Sequence, residues 1–242
     1  MSNVIRGRVV IIAITEFHSK PGNAVMDPRK GVKRDANRLF KVLTRMGFKV
    51  SLHMDVSAEE IKEIYQNESK MPQGECFISI LSSHGQEGLI YDFYGEPVFL
   101  KDLCSILDPR NSSNMEGVAK LFFVQACRGE ELDKGVFIET DSAPGASDAF
   151  SLILHLPRDT IIMFASSEGY VAFQNPAGAV FLQTLCDLLE GQERNLELNK
   201  ILTRLNNRVA NDFHSQGAYE GYKEMPCYTT NLTKELYPFR QF

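Results

Sequence analysis

Two stretches of this chain end an apolar run on a side chain capable of covalent chemistry. "KLFFVQACRGEE", residues 120 to 131, stops on Cys127, and "CFISILSSHGQEG", residues 76 to 88, stops on His84 and Gly85. A free thiol has a pKa of about 8.5, so only a few per cent is thiolate at neutral pH, and a nearby imidazole is the usual aid to its reaction. The glycines that follow let the backbone turn and face its N–H groups to a ligand. The N–H groups of Gly85 and Cys127 are therefore candidates for an oxyanion hole over a tetrahedral intermediate. On spacing alone a blander reading stands beside this one: a buried cysteine and a surface histidine that happen to end two strands.

What must position such a pair is a sheet. Apolar, β-branched runs recur at 8–14, 49–54, 76–83, 119–126 and 159–166, with helical patterns at 33–47, 57–67 and 100–107 between them. Strand and helix alternating over short connections predict a mainly parallel α/β sheet with helices on both faces. Two more helices are expected over 179–192 and 195–213, and "PCYTTNLTKELYPF", residues 226 to 239, reads as a closing edge strand, the sixth. In such sheets sites form outside the carboxyl ends of the strands, where both Cys127 and His84 fall. The segment 138–149, "IETDSAPGASDA", is acidic, small and helix-poor, and reads as an exposed loop.

The composition excludes several classes. Twenty-six basic against 31 acidic side chains give a net charge of -5, so neither nucleic acid nor an anionic membrane is an expected partner. No apolar stretch approaches the roughly 20 residues a membrane span needs. Five cysteines, widely spread and without a C-x-x-C pair, argue against a disulfide framework or a zinc site and for a reducing, cytoplasmic setting. No metal or organic cofactor is called for.

"QACRG" at 125–129, with a histidine roughly 50 residues upstream, is a caspase signature. The chain resembles caspases along nearly its whole length, through "RKGVKRDANRL", "SSHGQEG", "KLFFVQACRGEELDKG" into "IETDS", "NPAG", "ILTRLNNRVA" and "MPCYTTNLTKELYPF". The resemblance implies a three-layer α/β sandwich and a cysteine endopeptidase that cuts proteins after aspartate in apoptosis, with Cys127 as nucleophile, His84 as imidazole, and Gly85 with the Cys127 amide as oxyanion donors. Arg29 matches the first arginine of the aspartate pocket and Gln125 its glutamine. A buried carboxylate needs charge-assisted partners, which guanidinium supplies.

The second arginine of that pocket is missing. In "YVAFQNPAG", residues 170 to 178, Gln174 stands in its place, and Phe173 keeps an aromatic for the neighbouring subsite. First-pocket specificity is therefore expected to be weakened or altered. The alternative is a catalytically weak, caspase-like regulator that pairs with active caspases. The resemblance further implies a large subunit over 1–141, a linker over 142–148 and a small subunit over 149–242, with Asp141 and Asp148 as candidate cut points. It implies a minimal, executioner-like prodomain, and a homodimer of large and small subunit pairs, or a heterodimer with another caspase, formed through the last strand.

Overall fold

The computed structural model describes residues 6–18, 26–129, 156–213 and 221–241. The main sheet contains β1 (Gly7–Ala13), β2 (Lys49–Met54), β3 (Cys76–Ser82), β7 (Ala119–Gln125), β8 (Thr160–Phe164) and β9 (Cys227–Thr230), in the order β2-β1-β3-β7-β8-β9. The first five are parallel and β9 runs antiparallel to β8. Between β1 and β3 the chain order reverses direction across the sheet, which makes the crevice above their carboxyl ends a switch point suited to ligands.

Helices cover both faces because the apolar strand residues alternate. Val9, Ile11, Ile78, Ile80, Leu121, Phe123, Ile161 and Met163 face α1 (Val32–Arg45), α4 (Val180–Glu190) and α5 (Leu198–Asp212). Val10, Ile12, Phe77, Leu81, Phe122, Val124 and Ile162 face α2 (Ala58–Ser69) and α3 (Leu100–Ile106). A period of two along each strand and two helix layers make the three-layer sandwich expected of near-continuous apolar strands. Each such fully buried aliphatic or aromatic side chain adds about 1.5–3 kcal/mol. Cys76, Cys104 and Cys186 serve as small apolar fillers in these layers, and burial pushes each thiol up to about 12.

Two details depart from the sequence reading. A small antiparallel sheet, β4 (Gly85–Gln86), β5 (Leu89–Tyr91) and β6 (Pro97–Phe99), follows His84 directly. The closing strand pairs only over Cys227–Thr230 and not over 226–239. Beyond it, the Asn231 side chain accepts from Thr160 N–H at 2.7 Å and donates to Pro157 O at 3.0 Å, while Leu232 N–H turns to Thr230 Oγ1. The Asn231 N–H still donates to Thr160 O at 3.0 Å, and these side-chain bonds end the ladder there. Among the described residues no helix is long and apolar enough to cross a membrane.

Candidate active site

Strand register brings the thiol and the imidazole together. Ser82 of β3 lies opposite Gln125 of β7, and Ser83 N–H donates to Gln125 O at 3.2 Å. Two residues past that pair, His84 and Cys127 leave neighbouring strands at the same height. Both line two clefts. One, of about 320 Å³, is completed by Arg29, Gln125, Ala172 and Gln174. The other, of about 600 Å³, is completed by Gly85, Glu87, Arg128 and Gly129.

Cys127 is half-buried, and its Sγ takes the Ala172 N–H at 3.4 Å. His84 Nε2 lies 2.9 Å from Asp27 O. A carbonyl can only accept, so Nε2 carries the proton and Nδ1 keeps a lone pair for another. Burial, helped by the Arg29 cation, moves the imidazole below its usual range and opposes the pull of Asp27. The ring is braced by Phe17 at a centroid distance of 4.8 Å. His84 is thus held neutral, in one tautomer, with its basic nitrogen available.

Gly85 has to be glycine: a Cβ there would come within 2.6 Å of Leu89 O and 2.9 Å of the Ala126 Cβ. Tyr91 N–H donates to His84 O at 2.9 Å, and Gly85 pairs with Ile90 next along the hairpin. Because antiparallel pairs alternate between bonded and unbonded, the Gly85 N–H is turned away from β5.

Arg29 enters the first cleft from the segment after β1, at the switch point. Its N–H donates to Thr15 O at 2.8 Å, and its Nη1 donates to Ile14 O and Ser82 Oγ, each at 3.1 Å. Burial brings this guanidinium down to about 10, against the opposing pull of Cys127 and Asp35. Its Nε and Nη2 hydrogens remain for an anion. Gln125 reaches toward Phe173 O at 3.5 Å, and its Oε1 is buried without a partner. Both polar atoms of the Gln174 amide are likewise buried without hydrogen bonds. Phe173 is not part of the lining of that cleft; its ring packs on Phe213 at 5.4 Å. Asp141 and Asp148 lie outside the described residues.

Two buried carboxylates that sequence reasoning did not single out hold the segment bearing Gln174. Asp35, 1% exposed on α1, accepts the Ala179 N–H at 2.8 Å and the Gln183 side chain. The close approach leaves no room at Gly178, whose φ is 123° and where a Cβ would fall 2.1 Å from Asp35 Oδ1. Its signal was present: Val32, Ala36 and Leu39 are buried on the same helix face, so position 35 points inward too. Glu224, also 1% exposed, accepts the Phe173 N–H, and desolvation pushes its carboxyl up to about 8 despite that bond. Nothing in its sequence neighbourhood marks it.

The second cleft is built around Arg128. It pairs with Glu87 at 2.7 Å, donates to Cys227 Sγ at 3.0 Å, and lies 4.1 Å above the Phe164 ring. Gly129 passes so close to Gly169 that a Cβ would meet its carbonyl oxygen at 2.1 Å. Arg128 N–H donates to Tyr170 O at 3.0 Å, which ties the thiol-bearing turn to the segment that follows β8.

A sheet of this kind with a thiol and an imidazole at its carboxyl edge defines a cysteine-type endopeptidase, and comparison with known proteins agrees. The family model for the Caspase domain matches residues 6–237, and the chain belongs to the caspase family. It is 37% identical over 243 residues to Caspase-7 of Gallus gallus, covering 96% of this chain and 76% of that protein. Against Caspase-3 of Bos taurus it is 37% identical over 238 residues, covering 96% and 84%. The crystal structure of Caspase-1 from Spodoptera frugiperda superposes with a TM-score of 0.79 at 27% identity, over 94% of this chain and 90% of that one. The α/β fold and the class of chemistry expected from the sequence therefore stand.

Proposed function

We propose that the chain hydrolyses peptide bonds after aspartate, with Cys127 as nucleophile and His84 as general base. The observation that carries this is the in-register exit of His84 and Cys127 into a cleft that also holds the desolvated Arg29. The substrate's aspartate sits beside Arg29, and the leaving side of the peptide lies in the Arg128 cleft. The His84 Nδ1 takes the thiol proton as Sγ attacks the scissile carbonyl. The oxyanion is met by the Gly85 and Cys127 N–H groups. The same nitrogen returns the proton to the leaving amine, and water then hydrolyses the thioester. Gln174 supplies an amide where the family carries an arginine, so one charged contact to the aspartate is gone. Such a contact is worth about 1.5–3 kcal/mol, so aspartate discrimination is lowered by roughly 10- to 150-fold.

Several further features complete the reading. Cutting at Asp141, and secondarily at Asp148, separates a large subunit (1–141) from a small one (149–242) across the linker 142–148. The edge strand β9, with its outer side unpaired among the described residues, is the surface through which two such units form a homodimer. Five free thiols suit a reducing cytoplasm, and the protein substrates are those of an apoptotic executioner.

The test is turnover of a peptide library by the cut protein beside Cys127→Ala. Cleavage after aspartate, absent in the variant, supports the proposal; cleavage retained by Cys127→Ala would refute the assigned nucleophile. A second reading is favoured by one observation, the Gln174 amide with no partner: a weakly active, caspase-like regulator that pairs with active caspases. Folded dimer without turnover, together with a change in the activity of an added caspase, would select it.

A further inference from the structure

The cleft that holds Arg29 offers an entering side chain an unequal set of groups. Arg29 is the one desolvated cation among its described lining residues, and the Arg29 Nη1 is already engaged by Ile14 O and Ser82 Oγ. Lys30 also lines it but is exposed, where solvent screens its charge. The Asp35 carboxylate is close enough to act on Arg29, so part of the single buried charge is answered before any ligand enters. Two primary amides, Gln125 and Gln174, line the same space.

The orientation of the Gln125 amide is fixed. A carbonyl can only accept, so the atom that reaches toward Phe173 O at 3.5 Å is the Gln125 nitrogen, and Oε1 points the other way. The Phe173 N–H cannot serve that oxygen, being held by Glu224. Gln125 is 1% exposed, and its Oε1 is buried with no donor among the described residues. The Gln174 amide is buried with neither its oxygen nor its nitrogen bonded, so turning it over still leaves one oxygen without a donor. The Ser83 hydroxyl on the same lining donates elsewhere, to Tyr91 O. A buried acceptor without a donor is costly, and this cleft lining holds two.

We propose that the first pocket accepts asparagine as well as aspartate before the cut, with the Gln125 and Gln174 amides reading the asparagine side chain. The inference rests on the assignment of this cleft as the first pocket. A carboxylate brings acceptors only: it takes the free Nε and Nη2 hydrogens of Arg29 and gives nothing to either glutamine oxygen. A carboxamide brings both kinds of group. Its oxygen takes an Arg29 hydrogen, and its two N–H groups donate to the glutamine oxygens. Aspartate thus gains a charge-assisted pair, whereas asparagine gains two further neutral bonds and avoids burying a charge beside a partly answered cation. A charge-assisted bond is roughly twice as strong as a neutral one, so the two side chains come out close.

The experiment compares two peptides that differ only in the residue before the cut, aspartate or asparagine, as substrates of the cut protein and of Cys127→Ala. Mass spectrometry of the amino-side product separates a true carboxamide from peptide that has deamidated to the acid. We expect kcat/KM for asparagine to lie no more than about tenfold below that for aspartate, with both activities lost in Cys127→Ala. The aspartate-to-asparagine ratio should rise roughly 10- to 150-fold in Gln174→Arg, or in Gln174→Lys if thermal melts show the first variant unfolded. Asparagine slower than aspartate by more than that tenfold would overturn the inference and leave the proposed function standing, as would a ratio unchanged in the folded Gln174 variant. No cleavage of either peptide would overturn the inference together with the reading of the cleft on which it rests.

Discussion

The thiol and imidazole and the segment that carries Gln174 lie in one cleft, yet different forces hold them. His84 and Cys127 are placed by backbone pairing: Ser82 opposite Gln125 sets their height, and neither needs a side-chain partner to reach the cleft. Residues 172–179 have only one isolated bridge of their own, between Asn175 and Gly178. They hang on two buried carboxylates, Asp35 at Ala179 and Glu224 at Phe173. Cys127 and His84 thus leave paired strands, whereas Gln174 sits on a segment held by a few polar contacts.

The sharpest break of this comparison is at the thiol. Cys127→Ala is expected to lower peptide turnover by about 10⁴-fold or more, with little change in thermal midpoint because the side chain is only half-buried. A large loss of midpoint would mean that Cys127 is structural. Next in size is Gln174→Arg, which returns a charged donor to a cleft that already holds Arg29. We expect kcat/KM for aspartate peptides to rise by roughly 10- to 150-fold, with much less change for asparagine peptides. If both rise equally, residue 174 acts on the peptide backbone and not on the aspartate.

The same division governs what could be read from the sequence. Runs such as "RVVIIAI" and "AKLFFVQA" are legible because a strand buried on both faces is apolar along most of its length, and β1, β3, β7 and β8 are buried at every position. Once the strands are placed, their carboxyl ends place His84 and Cys127. The hairpin β4 to β6 was not legible: strands of two and three residues are too short to show alternation. The last strand is shorter than its sequence suggests: "YTTNLT" has strand composition throughout, but at Asn231 the side chain takes the Thr160 N–H and bonds Pro157 O, which ends the pairing there. Asp35 could have been found from helix periodicity. Glu224 could not, since a buried carboxylate between lysine and methionine looks like any surface glutamate until the fold covers it.

Asp35→Asn probes the first of the two anchors. The amide keeps one acceptor and turns a donor toward either the Ala179 N–H or the Gln183 side chain, both of which also donate. One buried donor is left unsatisfied, at a cost of about 1–3 kcal/mol. A denaturant melt should register that loss, and turnover should fall with it as residues 174–179 slacken. Intact stability with intact turnover would show that the close packing at Gly178 suffices without the carboxylate.

Glu224→Gln should have its smallest effect at acid pH and the most distinctive pH dependence. The folded carboxyl titrates near about 8 against an ordinary value of 4.5, so between these values the folded chain keeps a proton that the unfolded chain has released. Stability therefore falls as pH rises through that window, and the cost is complete once pH exceeds the folded value. An amide has no such proton. It can still accept the Phe173 N–H, so Glu224→Gln should match the parent at and below about pH 4.5 and become progressively more stable than it up to about pH 8. Unfolding free energies measured across this range would decide it. Parallel profiles for the two proteins would mean that Glu224 reaches solvent when ionised and that the Phe173 anchor does not depend on its charge.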